Sequence, residues 1–306
     1  MNSYLEKSID SWILWLESEK RVSKNTLKSY QIDLKSFFQF LKKFENCEIG
    51  IENIKFLDET SLRGWFFSRI KENVSPRSNA RALSSIKSFL SYLVKSKVIK
   101  SSKILTIKGP KFQESLPRPL NEKQIEKIFL LDKDNKPDWI IKRNKSIFLL
   151  MWGYGLRISE VLNIKFKEVK NSEHIVIMGK GNKERLIPLF TELKDYILKM
   201  IKKMPFILTN EDFIFLGQRG KKLNPRVVQR EMKQIRNRYH LPENTTPHSL
   251  RHTFATQLLD KKVDLRTIQE LLGHESLSTT QKYTAVDVSK LKDTIENFHP
   301  RSKKKL

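Results

Sequence analysis

The chain has 306 residues, 39% hydrophobic and 30% charged, and its 59 Lys/Arg against 34 Asp/Glu give a net charge of +25. That length fits two domains, each able to bury a core, and no apolar run nears the ~20 residues of a membrane span. The single Cys47 forbids an internal disulfide, and the start Met1-Asn2-Ser3-Tyr4-Leu5-Glu6 lacks the basic-then-apolar layout of a secretory signal, so a reducing cytoplasm is expected.

Residues 1–108 read as a helical domain. Trp12, Ile13 and Leu16 share a face at helical spacing. Ser23 is placed to cap a helix carrying Leu27, Tyr30, Leu34, Phe37, Phe38 and Leu41. Asp58 does the same for Leu62, Trp65, Phe66 and Ile70. Ser75-Pro76 opens a fourth helix with Ala82, Leu83, Ile86, Phe89, Leu90 and Leu93. Four amphipathic helices predict a small bundle whose aromatics form the core. Lys24, Lys28, Arg77, Arg81 and Lys87 are candidate phosphate contacts or simply a solvated face.

Residues 101–119 break the pattern with Ser101-Ser102, Gly109-Pro110, Pro117 and Pro119, and 109–118 is expected to be a linker. The second domain, 119–300, opens on an Asn121/Gln124 capping box. Helices are predicted around 122–130, 142–154, 159–168 and 192–203, with two short strands, His174 to Met178 and Arg185 to Leu189, around a glycine-bearing turn at 179–182. Further helices start at Asn224-Pro225, at Pro247 and after Asp264, the last stopped by Gly273. A short helix around Tyr283 and one near 288–297 precede a basic tail, 301–306. The predicted fold is mostly α with a small antiparallel sheet.

Cations dominate both parts, with 20 Lys/Arg against 11 Asp/Glu in residues 1–108 and 39 against 23 in the remainder. This suits a protein that grips duplex DNA by displacing counterions, although a lysine-rich solvated surface has the same composition. Within that background the second domain carries an ordered set: Arg157, Lys180, His248, Arg251, His274 and Tyr283. Guanidinium forks pair with non-bridging phosphate oxygens, imidazoles and a lysine move protons, and a phenol can attack covalently. No carboxylate cluster accompanies them to hold a divalent metal, so the positive charge must come from the protein.

Each residue also has a plain reading. Arg157, at a helix start where a cation opposes the dipole, can pair with Glu160 at i+3. Lys180, between Gly179 and Gly181, can be an ordinary turn lysine, with Lys183 as its rival. His248 and His252 have the spacing of a zinc pair with His274 as third ligand, but Ser249 stands where zinc-protease helices carry Glu, and Arg251 sets a cation beside the metal. His274 can be a satisfied surface group after a helix end, and Tyr283 can be packing.

Taken in order, the six residues resemble the signature of the tyrosine site-specific recombinases, the phage integrase family: Arg, Lys, His-x-x-Arg, His and a nucleophilic Tyr. The stretch from Asp264 to Thr284 is similar to the Xer branch, nearer its XerC than its XerD members. The resemblance implies an N-terminal SAM-like core-binding bundle and a DNA breaking-rejoining catalytic domain that close on duplex DNA as a C-shaped clamp. It implies that Tyr283 attacks a DNA phosphodiester, leaving a 3′-phosphotyrosyl link, with neither metal, ATP nor any other cofactor. Arg157 and Arg251 would fork the phosphate, His248 would serve as acid/base, Lys180 would protonate the departing 5′ oxygen, and His274 would donate to a phosphate oxygen. The expected partners are a short near-palindromic DNA site, an XerD-like companion in a tetrameric synaptic complex, and a divisional DNA translocase, with no membrane; the expected task is resolving chromosome dimers at cell division. A mobile-element integrase of the same chemistry and a catalytically silent DNA-binding protein are the alternatives. The bundle beginning almost at Met1, without an added arm-binding domain, favours the plain Xer layout over the first, and the complete set of six argues against the second.

Overall fold

A computed structural model describes residues 2–109, 119–130, 136–170, 172–178 and 184–273. The chain divides into two compact units, Met1–Ser115 and Leu116–Leu306.

The first unit holds α1 (Ser3–Ser18), α2 (Lys24–Phe44), α3 (Ile51–Lys55), α4 (Glu59–Lys71) and α5 (Pro76–Lys95). The caps fall where local chemistry puts them: Ser23 accepts from the Thr26 amide at 3.1 Å, Asp58 from Ser61 at 3.0 Å, and Ser75 from Ser78 at 3.3 Å. The expected apolar faces form one core, in which Trp12, Phe37, Trp65 and Phe89 are buried and Trp12 meets Phe89 edge-on at 5.5 Å. Two elements escape the sequence pattern. The single turn α3 adds Ile51 and Ile54 to the core, and a 3₁₀ turn, Lys103–Thr106, buries Ile104 while Lys87 donates to the Leu105 carbonyl at 2.8 Å. Residues 101–108 are thus folded against α5. Lys87 is occupied there and Arg81 pairs with Asp33, which leaves fewer free phosphate contacts than the sequence offered.

The second unit holds α6 (Glu122–Phe129), α7 (Asp138–Gly153), α8 (Ile158–Val161), α9 (Phe166–Lys170), strands β1 (His174–Met178) and β2 (Glu184–Pro188), then α10 (Thr191–Lys202), α11 (Pro225–Arg238), α12 (Pro247–Asp260) and α13 (Leu265–Leu272). Helix α7 is its axis: Ile147, Phe148 and Leu150 are fully buried, and α10 and α12 pack on it. The Asn121/Gln124 capping box forms as expected, with reciprocal bonds of 2.9 and 3.0 Å. The strands pair antiparallel, Ile175 facing Ile187 and Ile177 facing Arg185.

The helix predicted over 159–168 is two short helices instead. Between them the Ile164 carbonyl accepts from the Ile214 amide at 3.1 Å, and the Phe166 amide donates to Asp212 at 2.9 Å. Pairing with the 212–214 segment takes backbone groups that a continuous helix would need. The glycine turn, the Tyr283 helix, the helix near 288–297 and the tail lie outside the described residues.

Candidate phosphate-binding site

The site begins with two turns that only glycine makes easily. Gly155, just after α7, has φ +62°, and a Cβ there would lie 2.6 Å from Phe254. The chain therefore passes close over α12 before reaching Arg157. Gly273 ends α13 with φ +64°.

Arg157 is the N-cap of α8. Glu160 at the third helical position reaches back, its Oε2 accepting from the Arg157 amide at 2.7 Å and its Oε1 from Arg157 Nη1 at 2.8 Å. The i+3 pair read from sequence therefore exists, and it offsets the cation at a helix start. Arg157 Nη2 also contacts the Gly273 carbonyl at 3.4 Å, while 40% of the side chain stays exposed.

Arg251 lies in α12, one turn beyond His248, with only 6% of its side chain exposed. Its Nη1 donates to the Gly155 carbonyl at 2.5 Å and its Nη2 to Leu272 at 2.6 Å. The Leu272 carbonyl, in the last turn of α13, lacks an intrahelical partner, and the guanidinium supplies the missing donor. Glu160 Oε2 is 3.8 Å from Nη1, too far to hydrogen-bond. Burial first, and then the neighbouring Arg157, push the Arg251 pKa down to about 10 despite Glu160.

Arg185 stands outside the ordered set of six. It sits on β2 with its side chain 5% exposed and forks Glu160, Nη1 to Oε1 at 3.1 Å and Nη2 to Oε2 at 2.9 Å. The available signal was a charged residue at an inward position of a short strand. An arginine there needs a buried carboxylate. Burial alone would raise the Glu160 pKa, but the Arg185 fork, joined by the Arg157 amide and guanidinium, holds it below the ordinary carboxylate range.

The structure thus brings Arg157 and Arg251 together around Glu160. His248 is exposed in the first turn of α12. Lys180, His274 and Tyr283 lie outside the described residues, as does the third histidine of the zinc reading. Among the described residues no three His, Cys, Asp or Glu side chains cluster to hold a metal ion, and no helix is long and apolar enough to cross a membrane. Three guanidiniums thus meet one carboxylate among the described residues, a surplus of positive charge suited to an anion.

The phage integrase family model matches residues 118–290, and the phage integrase N-terminal SAM-like domain matches 9–97. Tyrosine recombinase XerC of Agrobacterium fabrum is 40% identical over 95% of this chain and 93% of its own. The XerC of Rickettsia bellii is 38% identical over 99% and 100%. Among solved structures, XerH bound to palindromic difH substrate matches with TM-score 0.65 and 24% identity, covering 90% of this chain and 77% of that one. A lambda integrase dimer bound to a COC′ core site gives 0.67 and 17%, covering 94% and 95%. Those two likenesses are of fold. By the family models and the near-full-length XerC relatives, the chain belongs to the phage integrase family and is a tyrosine recombinase, a DNA-recombining enzyme.

Proposed function

We propose that this recombinase cuts and rejoins DNA at a short near-palindromic chromosomal site, through a 3′-phosphotyrosyl intermediate. Arg157 and Arg251 bind the non-bridging oxygens of the scissile phosphate and neutralise the charge gathering there. The Tyr283 hydroxyl attacks phosphorus: a bond forms from its oxygen, the bond to the 5′ oxygen breaks, and the phenolic proton passes to His248. Lys180 gives a proton to the departing 5′ oxygen, and His274 donates a hydrogen bond to the phosphate. The new ester retains the energy of the old one, so resealing by the 5′ hydroxyl needs no ATP.

The observation that carries this reading is the surplus of guanidinium over carboxylate at Glu160. The near-full-length XerC relatives support the chromosomal role over that of a mobile element. The enzyme acts in the cytoplasm as two pairs of subunits with an XerD-like companion, resolving chromosome dimers at division under control of a divisional DNA translocase.

The test uses a nicked duplex bearing the near-palindromic site that wild type retains from a mixed library. Wild type should form a covalent protein–DNA adduct on a denaturing gel, in EDTA, and Tyr283→Phe should form none. An adduct surviving the substitution would move the nucleophile elsewhere, and strict metal dependence would revive a metal-centred site.

A further inference from the structure

Glu160 is the only carboxylate among the described residues that contacts these arginines, and how it is shared decides which cations remain free. Arg185 takes both of its oxygens, leaving Arg157 a single side-chain bond to Oε1 and Arg251 none. Were Arg185 absent, a buried carboxylate would recruit whatever donors lie nearest, because an unpaired buried charge is costly. The nearest are Arg157, already in contact, and Arg251, 3.8 Å away. Each N–H so taken is one withheld from a phosphate.

Arg185 is also locked in place. Its strand pairs with β1, and a Cβ on Gly273 would fall 2.7 Å from its Nη1, so the end of α13 packs directly on it. Its Nε is buried without a partner among the described residues. That orphan donor is tolerated at a cost, which a residue serving only as filler would not explain.

We propose that Arg185 is a positioning residue for recombination: by forking both oxygens of Glu160, it limits the carboxylate to one side-chain bond from Arg157 and none from Arg251, and so keeps their remaining N–H groups available to the scissile phosphate. This rests on the phosphate reading of those two arginines given above. Arg185 itself does not touch DNA. Its effect is felt only where phosphate charge must be neutralised.

That restriction supplies the experiment. The selected nicked duplex is made with an ordinary scissile phosphate, and again with a methylphosphonate there, which replaces one charged non-bridging oxygen by methyl. Adduct formation is timed for wild type, Arg185→Gln and Arg185→Lys, alongside duplex affinity and melting temperature. Arg185→Gln should slow the phosphodiester reaction roughly 10- to 100-fold, by analogy with the partners that orient metal ligands, with duplex affinity little changed. On the methylphosphonate its deficit should largely vanish. Arg185→Lys keeps the charge but not the fork, so it should show a smaller deficit with the same collapse, and it carries the test if the glutamine variant does not fold. An equal deficit on both substrates, or none on either, overturns the proposal. Failure of the underlying reading would appear instead in the controls, as an absent wild-type adduct or one that persists in Tyr283→Phe.

Discussion

Each unit buries a carboxylate that meets more than one guanidinium, and the two deal differently with the surplus. In the first unit Asp33 takes the Arg81 fork at 2.9 and 3.2 Å, with Arg69 at 3.7 Å. Arg69 gives its Nε to Asn79 at 2.8 Å and stacks on Trp65 with 4.7 Å to the ring centroid. Arg81 is 48% exposed and can shed its field into water. That cluster is closed, tying α2, α4 and α5 together. In the second unit the extra cations are turned toward carbonyls and held close to one another, with Arg251 almost fully enclosed. Similar residues staple a bundle in one place and store uncompensated charge in the other. An arginine–carboxylate cluster is therefore not diagnostic by composition; where its remaining charge goes is what separates the two uses.

The strongest way to break this contrast is to remove each carboxylate. Asp33→Ala and Glu160→Ala should each destabilise their unit by about 3–5 kcal/mol, because both leave buried cations unpaired, measured by urea denaturation. Under conditions where both proteins remain folded, only the Glu160 variant should lose cleavage rate. Equal retention of activity would erase the distinction.

Removing single arginines sharpens it. Arg251→Ala should slow adduct formation about a hundredfold or more, comparable to losing one preorganised donor to a developing anion. Arg81→Ala should leave single-turnover cleavage near wild type, since its partner is Asp33. Single-turnover assays on saturating duplex separate the two.

A smaller effect is expected from Gly273→Ala. Left-handed backbone costs an L-residue about 1–2 kcal/mol, and the new methyl would press on Arg185. Thermal melting should register the first, and slowed cleavage the second.

The mildest perturbation is acid. The Glu160 pKa is depressed in the folded protein, so its contribution to stability is complete above its unfolded value near 4.5 and fades as pH falls through the lower folded value. Urea midpoints taken from about pH 6 to about pH 3 should drop more steeply for wild type than for Glu160→Gln.

Much of this was legible in the sequence because it is local. Ser23, Asp58, Asn121, Asn224 and Asp264 each announce a helix through a bond to an amide two or three residues on. The helix stop at Gly273 is equally local. What failed was non-local. The break between α8 and α9 depends on backbone pairing with residues 212–214, nearly fifty positions away in sequence. Likewise Arg157 and Glu160 could be paired by spacing, but the fork from Arg185 requires the hairpin and α8 to meet. The order of the six chemistry-bearing residues pointed to the family; the mutual arrangement of Arg157 and Arg251 needed three dimensions.

One consequence follows from the bond between Arg251 and Leu272. Among the described residues this guanidinium gives two of its five N–H groups to carbonyls, so three remain for an incoming anion without releasing the chain. Anion and main chain can then hang from one flat, resonance-stiffened plane. Their separation is fixed by covalent geometry rather than by the compliance of packed side chains. On the phosphate reading proposed above, Arg251 is in that sense a gauge block, setting how far the backbone just ahead of residue 274 stands from the phosphorus it holds.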